Sequence, residues 1–81
     1  MILTIDVGNT NITCGVFQGD EIAASFRITT KMPRTSDEYG MMLLNLLEQN
    51  DIHPTEIKDA IICSVVPNVM HSLVNGITKY I

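Results

Sequence analysis

The residues from Ile2 to Phe17 constrain this chain more than any other stretch. Ile2-Leu3-Thr4-Ile5 is a short apolar run, β-branched at three of its four positions, and reads as a buried strand. It ends in a carboxylate, Asp6. Val7 and then Gly8-Asn9-Thr10-Asn11 follow as a tight polar turn, and Ile12 to Phe17 leads away as a second strand. Asn and Gly tolerate positive φ, so a sharp reversal costs little here. A turn of this kind aims backbone N–H groups and the Thr10 hydroxyl into one concavity, which suits phosphate oxygens. Asp6 and phosphate are both anions, so the natural work of Asp6 is to hold a hydrated Mg²⁺ beside the phosphates or to orient a group there. The same residues also read as a plain β-hairpin whose Asp and Asn cap the turn.

Eighty-one residues are enough for one small domain with a modest core. With 46% hydrophobic and 17% charged residues the composition is globular, without a disordered tract. The net charge of −4 offers no basic footprint, which argues against nucleic acid as a partner. No apolar run approaches the roughly 20 residues that span a bilayer, so no membrane partner is expected. A basic n-region with a long apolar h-region is not evident at the N-terminus, and the expected location is cytoplasmic. Cys14 and Cys63 both lie in apolar strand-like runs, which fits buried, reduced thiols, although one disulfide between them is possible on count. Two distant cysteines with His53 or His71 match no recognised metal spacing.

In chain order, strands are expected at residues 2–6, 12–18 and about 21–29, with Gly19-Asp20 as the loop of the second hairpin. On the third strand Ile22, Ala24, Phe26 and Ile28 are expected to share one face, giving a half-exposed strand near a sheet edge. Thr30 to Arg34, with Pro33, is a polar connection. Thr35 and Glu38 have capping-box spacing, and Asp37 and Glu38 place acid in a first helical turn. Tyr39, Met42, Leu43, Leu46 and Leu47 then form a core-facing stripe, and Asn50-Asp51 and His53-Pro54 end the helix. Ala60 to Cys63 reads as apolar on both faces, hence as a central strand parallel to the first. Ser64-Val65-Val66-Pro67 turns into a second helix, with Val66, Met70, Leu73, Val74, Ile77 and Ile81 as its buried side.

Asp6-Val7-Gly8-Asn9-Thr10-Asn11, with Gly15 followed by Val16-Phe17, resembles the first phosphate motif of the acetate and sugar kinase, chaperone ATPase and actin superfamily. The match is closest to type III pantothenate kinases, in which Asp-x-Gly-Asn-Thr starts a few residues from the initiator Met. Arg34-Thr35-Ser36-Asp37-Glu38 looks like that family's first helix, and Ser64-Val65-Val66-Pro67 resembles its Ser-x-Val-Pro signature. The order βββαβα is the opening of the ribonuclease-H-like α/β fold of actin-like ATPases, with a mixed sheet. Residues 1–81 then correspond to the N-terminal part of such a domain, lacking its closing strand and the second domain.

The resemblance implies ATP-dependent phosphorylation of pantothenate, the first step of coenzyme A biosynthesis. ATP with Mg²⁺ would use the first hairpin, Asp6, Val7, Gly8, Asn9, Thr10, Asn11, Ile12 and Thr13, with Asp6 reaching the metal through water. It also implies a monovalent cation, potassium or ammonium, and a catalytic Asp in a Gly-x-Asp-Arg motif. That motif does not occur in these residues, so the isolated chain is expected to be inactive. A non-enzymatic relative of the Bvg accessory factor type shares the first motif. A ribonuclease-H-type nuclease would use Asp6 with Glu38 or Glu48, but the fourth strand ends in Cys63-Ser64 rather than an acid. Arg27, Lys31 and Arg34 cluster at the end of the third strand and read first as a solvated face. Because the missing fifth strand leaves an open edge, a homodimer or higher self-association is expected, through that edge or through the second helix.

Overall fold

The computed structural model describes residues 1–30, 34–64 and 67–81, with the side chains of Pro67 and Asn68 set aside. Four strands form one sheet in the order β3-β2-β1-β4: β1 (Ile2–Val7), β2 (Asn11–Gln18), β3 (Glu21–Thr29) and β4 (Asp59–Ser64). β1–β2 and β2–β3 pair antiparallel, and β4 pairs parallel to β1. Helix α1 (Ser36–Gln49) precedes β4 and α2 (Pro67–Tyr80) follows it. The expected order βββαβα and the mixed α/β sheet are both present. Lys31, Pro33, Val65 and Val66, which the sequence reading placed in a connection, the Ser-Val-Val-Pro segment and the buried side of α2, lie outside the described residues.

Alternation on the strands sorts the sheet into two unlike faces. Leu3, Ile5 and Val7 of β1, Ile12, Cys14 and Val16 of β2, and Ala24 and Ile28 of β3 form one core with Tyr39, Leu43, Leu47 and Leu73 of the helices. Both helices therefore cover the same face. Burying a side chain of the Leu or Ile class contributes about 1.5–3 kcal/mol, so this single layer holds the molecule together. The opposite face carries Ile2, Thr4 and Asp6, and next to them Asn11, Thr13, Gly15 and Phe17, in register. Ile2 and Ile61 on that face are 40% and 54% exposed.

Two strand assignments need correction. β4 is parallel to β1 but lies at the sheet edge, and its outer residues Ile61 and Cys63 are exposed rather than buried. Its apolar pattern on both faces reflects a strand with no cover on one side. On β3 a register shift sets Val16 opposite Ala24 but Phe17 opposite Ile22. The extra residue, Ala23, moves Ile22 to the open face, where it is 64% exposed, away from Ala24 and Ile28.

α1 starts as its residues dictate. The Glu38 N–H donates to Thr35 Oγ1 (3.1 Å) and the Thr35 N–H donates to Glu38 Oε1 (2.9 Å), a complete capping box. It ends where Asp51 adopts φ 59° and the Ile52 N–H returns to the Leu47 carbonyl (2.9 Å). The two helices touch where side chains are missing. A Cβ on Gly76 would sit 2.5 Å from the Ser36 carbonyl oxygen, and one on Gly40 2.1 Å from the Tyr80 ring. Val74, expected on the buried side of α2, is 36% exposed; Gly76 occupies the contact line instead.

Candidate functional site

The β1–β2 connection is a hairpin closed by the Gly8 N–H donating to the Asn11 carbonyl (3.0 Å), with Asn9 and Thr10 at its exposed tip. The reversal does not use positive φ, contrary to the sequence reading: among the described residues only Gly19 and Asp51 have it. A Cβ at Gly8 would lie 3.3 Å from the Asn11 carbonyl oxygen, a tight contact that the turn would have to relieve by a few tenths of an ångström. The Gly8 N–H is occupied within the turn, which removes one of the donors expected to face phosphate. The tip is tied down from the side. The Thr30 N–H donates to the Thr10 carbonyl (3.1 Å), joining it to the exit of β3. Beside this tie the Thr30 hydroxyl is buried with no hydrogen-bond partner among the described residues.

Of the eight hairpin residues singled out in the sequence, three side chains come together on the open face: Asp6, Asn11 and Thr13. Val7 and Ile12 are core residues, 1% and 0% exposed, so only their backbone is available to a ligand. The Asp6 side chain is exposed and makes no hydrogen bond or ion pair among the described residues. Such a free carboxylate fits one ligand of a hydrated Mg²⁺, which ordinarily takes one or two carboxylates plus substrate phosphates. Among the described residues no group of three or more His, Cys, Asp or Glu converges, so they build no all-protein cage.

The register shows neighbours the sequence did not disclose. Arg27 lies opposite Thr13, Thr13 opposite Asp6, and Asp6 opposite Cys63. All four are exposed, forming one row across the open face. Thr29 pairs with Asn11 one step nearer the tip. That half of the face is polar and runs into the hairpin tip; the other half holds Ile2, Phe17, Ile22 and Ile61. Cys63 was expected to be buried and is not; the pairing register alone could have exposed it, since its partner Asp6 cannot belong in a core. Cys14 is on the opposite face, where burial pushes its thiol up to about 12. Both thiols are free.

Two of the other polar candidates, Arg34 and His53, have structural work. The Arg34 guanidinium donates to the Thr29 carbonyl and stands 6.0 Å from the Tyr39 ring centroid. His53 Nδ1 accepts from the Thr55 N–H (3.3 Å) and caps the single 3-10 turn Pro54–Glu56. A groove of about 560 Å³ lies between the outer face of α1 and the turn after it, lined by Met41, Leu44, Glu48 and Ile52 among others. It shares no residue with the hairpin.

The chain is an α/β unit whose first hairpin presents a carboxylate and two polar side chains on an uncovered sheet face. Comparison with known proteins gives the particular family. The family model described as type III pantothenate kinase matches residues 2–81, and the chain belongs to that family. A type III pantothenate kinase of Agathobacter rectalis is 75% identical over 80 residues, 99% of this chain and 31% of the relative. One of Bifidobacterium longum is 49% identical over the whole chain and 32% of the relative, and one of Bifidobacterium animalis subsp. lactis 48% identical over the same shares. The chain thus spans about a third of the length of the curated relatives it matches.

Proposed function

We propose that residues 1–81 form the N-terminal, ATP-phosphate-binding wall of a type III pantothenate kinase, lacking the closing strand and the second domain. The complete enzyme would transfer a phosphoryl group from ATP to the pantothenate hydroxyl, opening coenzyme A synthesis in the cytoplasm, as a homodimer. One observation carries the reading: Asp6 is an exposed carboxylate, without a partner among the described residues, in register with Thr13 and one step from Asn11, at the root of the hairpin whose sequence matches the family.

The residues present fit a nucleotide's phosphates with magnesium. Asp6 would hold the hydrated ion, Thr13 and Asn11 would donate to phosphate oxygens, and Asn9 and Thr10 would border them at the tip. Bound there, the ion neutralises phosphate charge. The tie between Thr10 and Thr30 holds the tip in place before a ligand arrives. The described residues offer no evident set for potassium or ammonium, and that role falls to polypeptide beyond this unit. An in-line transfer needs acceptor and phosphate held from several sides, so one wall binds without turning over.

Nitrogen-15-labelled 81-residue chain titrated with MgATP tests this. Amide shifts are expected at Asp6 and at residues 9–13, and they should lose their magnesium dependence in Asp6→Asn. Shifts absent at millimolar MgATP, or confined to other residues, would overturn the reading. Turnover with ATP and pantothenate by the isolated chain would refute its expected inactivity.

A further inference from the structure

We propose that Arg27 is a phosphate-binding residue of this site, engaging the end of the polyphosphate farthest from Asp6; the inference rests on the phosphate-wall reading above. The sequence left three cations near the end of β3 with no way to choose among them. Lys31 lies outside the described residues, and Arg34 is committed to the Thr29 carbonyl and the Tyr39 ring. Arg27 is exposed and its guanidinium has no hydrogen bond or ion pair among the described residues, where the only ion pair is Lys79–Asp37.

Its position follows from the register. Thr13 stands between Asp6 and Arg27 on adjacent strands, all three on the open face. Strands lie about 4.8 Å apart, so Asp6 and Arg27 are roughly 10 Å apart at the backbone, two strand spacings. Among the described residues the two side chains form no ion pair with each other, so each charge is left to a ligand. The row presents a carboxylate suited to a cation at one end, a hydroxyl in the middle and a guanidinium at the other. A chain of phosphates lying along it meets a metal at one end and a planar, bidentate donor at the other. An unpaired Arg on an edge strand also discourages edge-to-edge aggregation, and that simpler role makes a different prediction.

The labelled chain separates the two. In wild type, MgATP and magnesium tripolyphosphate are expected to shift the Arg27 Nε–Hε resonance together with the Thr13 amide, whereas AMP should leave Arg27 unmoved. Arg27→Gln should weaken MgATP binding about tenfold, the order expected for a charge-assisted hydrogen bond, with AMP affinity unchanged and Arg27→Lys intermediate. The spectrum itself reports whether each variant folds. If Asn11 and Thr13 respond but Arg27 does not, and Arg27→Gln binds MgATP as well as wild type, the inference is overturned while the phosphate wall stands. Increased self-association of Arg27→Gln with unaltered nucleotide affinity would likewise assign Arg27 to edge protection alone. No response anywhere on the hairpin overturns both.

Discussion

Gly76→Ala is expected to destabilise the fold although it places a better helix former inside α2. Two effects compete. Replacing Gly by Ala in a helix interior gains about 1 kcal/mol. Against it, the new Cβ would lie 2.5 Å from the Ser36 carbonyl oxygen and 3.0 Å from the Gly40 nitrogen, both backbone atoms of α1. Backbone cannot rotate away, so α1 and α2 must separate. Overpacking costs about 1–3 kcal/mol, and this geometry belongs at the upper end. The net loss is about 2 kcal/mol, which lowers the melting temperature of a domain this size by roughly 8–16 °C. Gly40→Ala is the control. Its three nearest atoms all belong to the Tyr80 ring, a side chain able to swing out by giving up the bond from its hydroxyl to Asp37. Its cost should be smaller and should shrink further, or change sign, with Tyr80→Ala. Circular-dichroism melts of the five proteins at one concentration decide it. A Gly76→Ala chain as stable as wild type would refute the reasoning, because helix propensity would then have outweighed a backbone collision.

Thiol titration with a disulfide reagent should modify one cysteine rapidly, Cys63, with Cys14 reacting only in denaturant; two fast equivalents would contradict the burial that raises the Cys14 thiol to about 12. Bonds from Lys79 and then Tyr80 hold Asp37 below its usual 3.8, so that contribution is present above this value and is lost as pH falls through the lowered one; Asp37→Asn should flatten acid unfolding below about pH 4, and an unchanged acid limb would count against the bridge. The same contact raises Lys79 above 10.5, so its contribution is intact below that pH and disappears above it. Since both groups are exposed the effects are small. Sedimentation of the isolated chain is expected to show self-association through the open edge of β4, and a clean monomer up to high concentration would rule that out.

Periodicity and capping chemistry were enough to place the elements. The capping box at Thr35, the stripe of Tyr39, Leu43 and Leu47, the loop at Gly19-Asp20 and the order βββαβα are local properties, written in residues three or four apart or alternating, and the structure holds them. The hairpin motif was legible for the same reason. What failed depended on partners distant in the chain. Whether β4 is central or at an edge turns on a neighbouring strand, which the pattern of β4 does not specify. The flip of Ile22 comes from one extra residue opposite β2, and the exposure of Cys63 from its pairing with Asp6 some 57 residues earlier.

The candidate site divides along the same line. Sequence alone determined that Asp6, Asn9, Thr10, Asn11 and Thr13 occupy one turn and its flanks, because spacing within a hairpin fixes proximity. Only the tertiary structure decided that Val7 and Ile12 point into the core, that both helices cover one face, and that Arg27 joins Asp6 and Thr13 in a single row on the other. Side-chain direction along a strand alternates by rule, but which of the two faces is left bare is settled by where the helices pack.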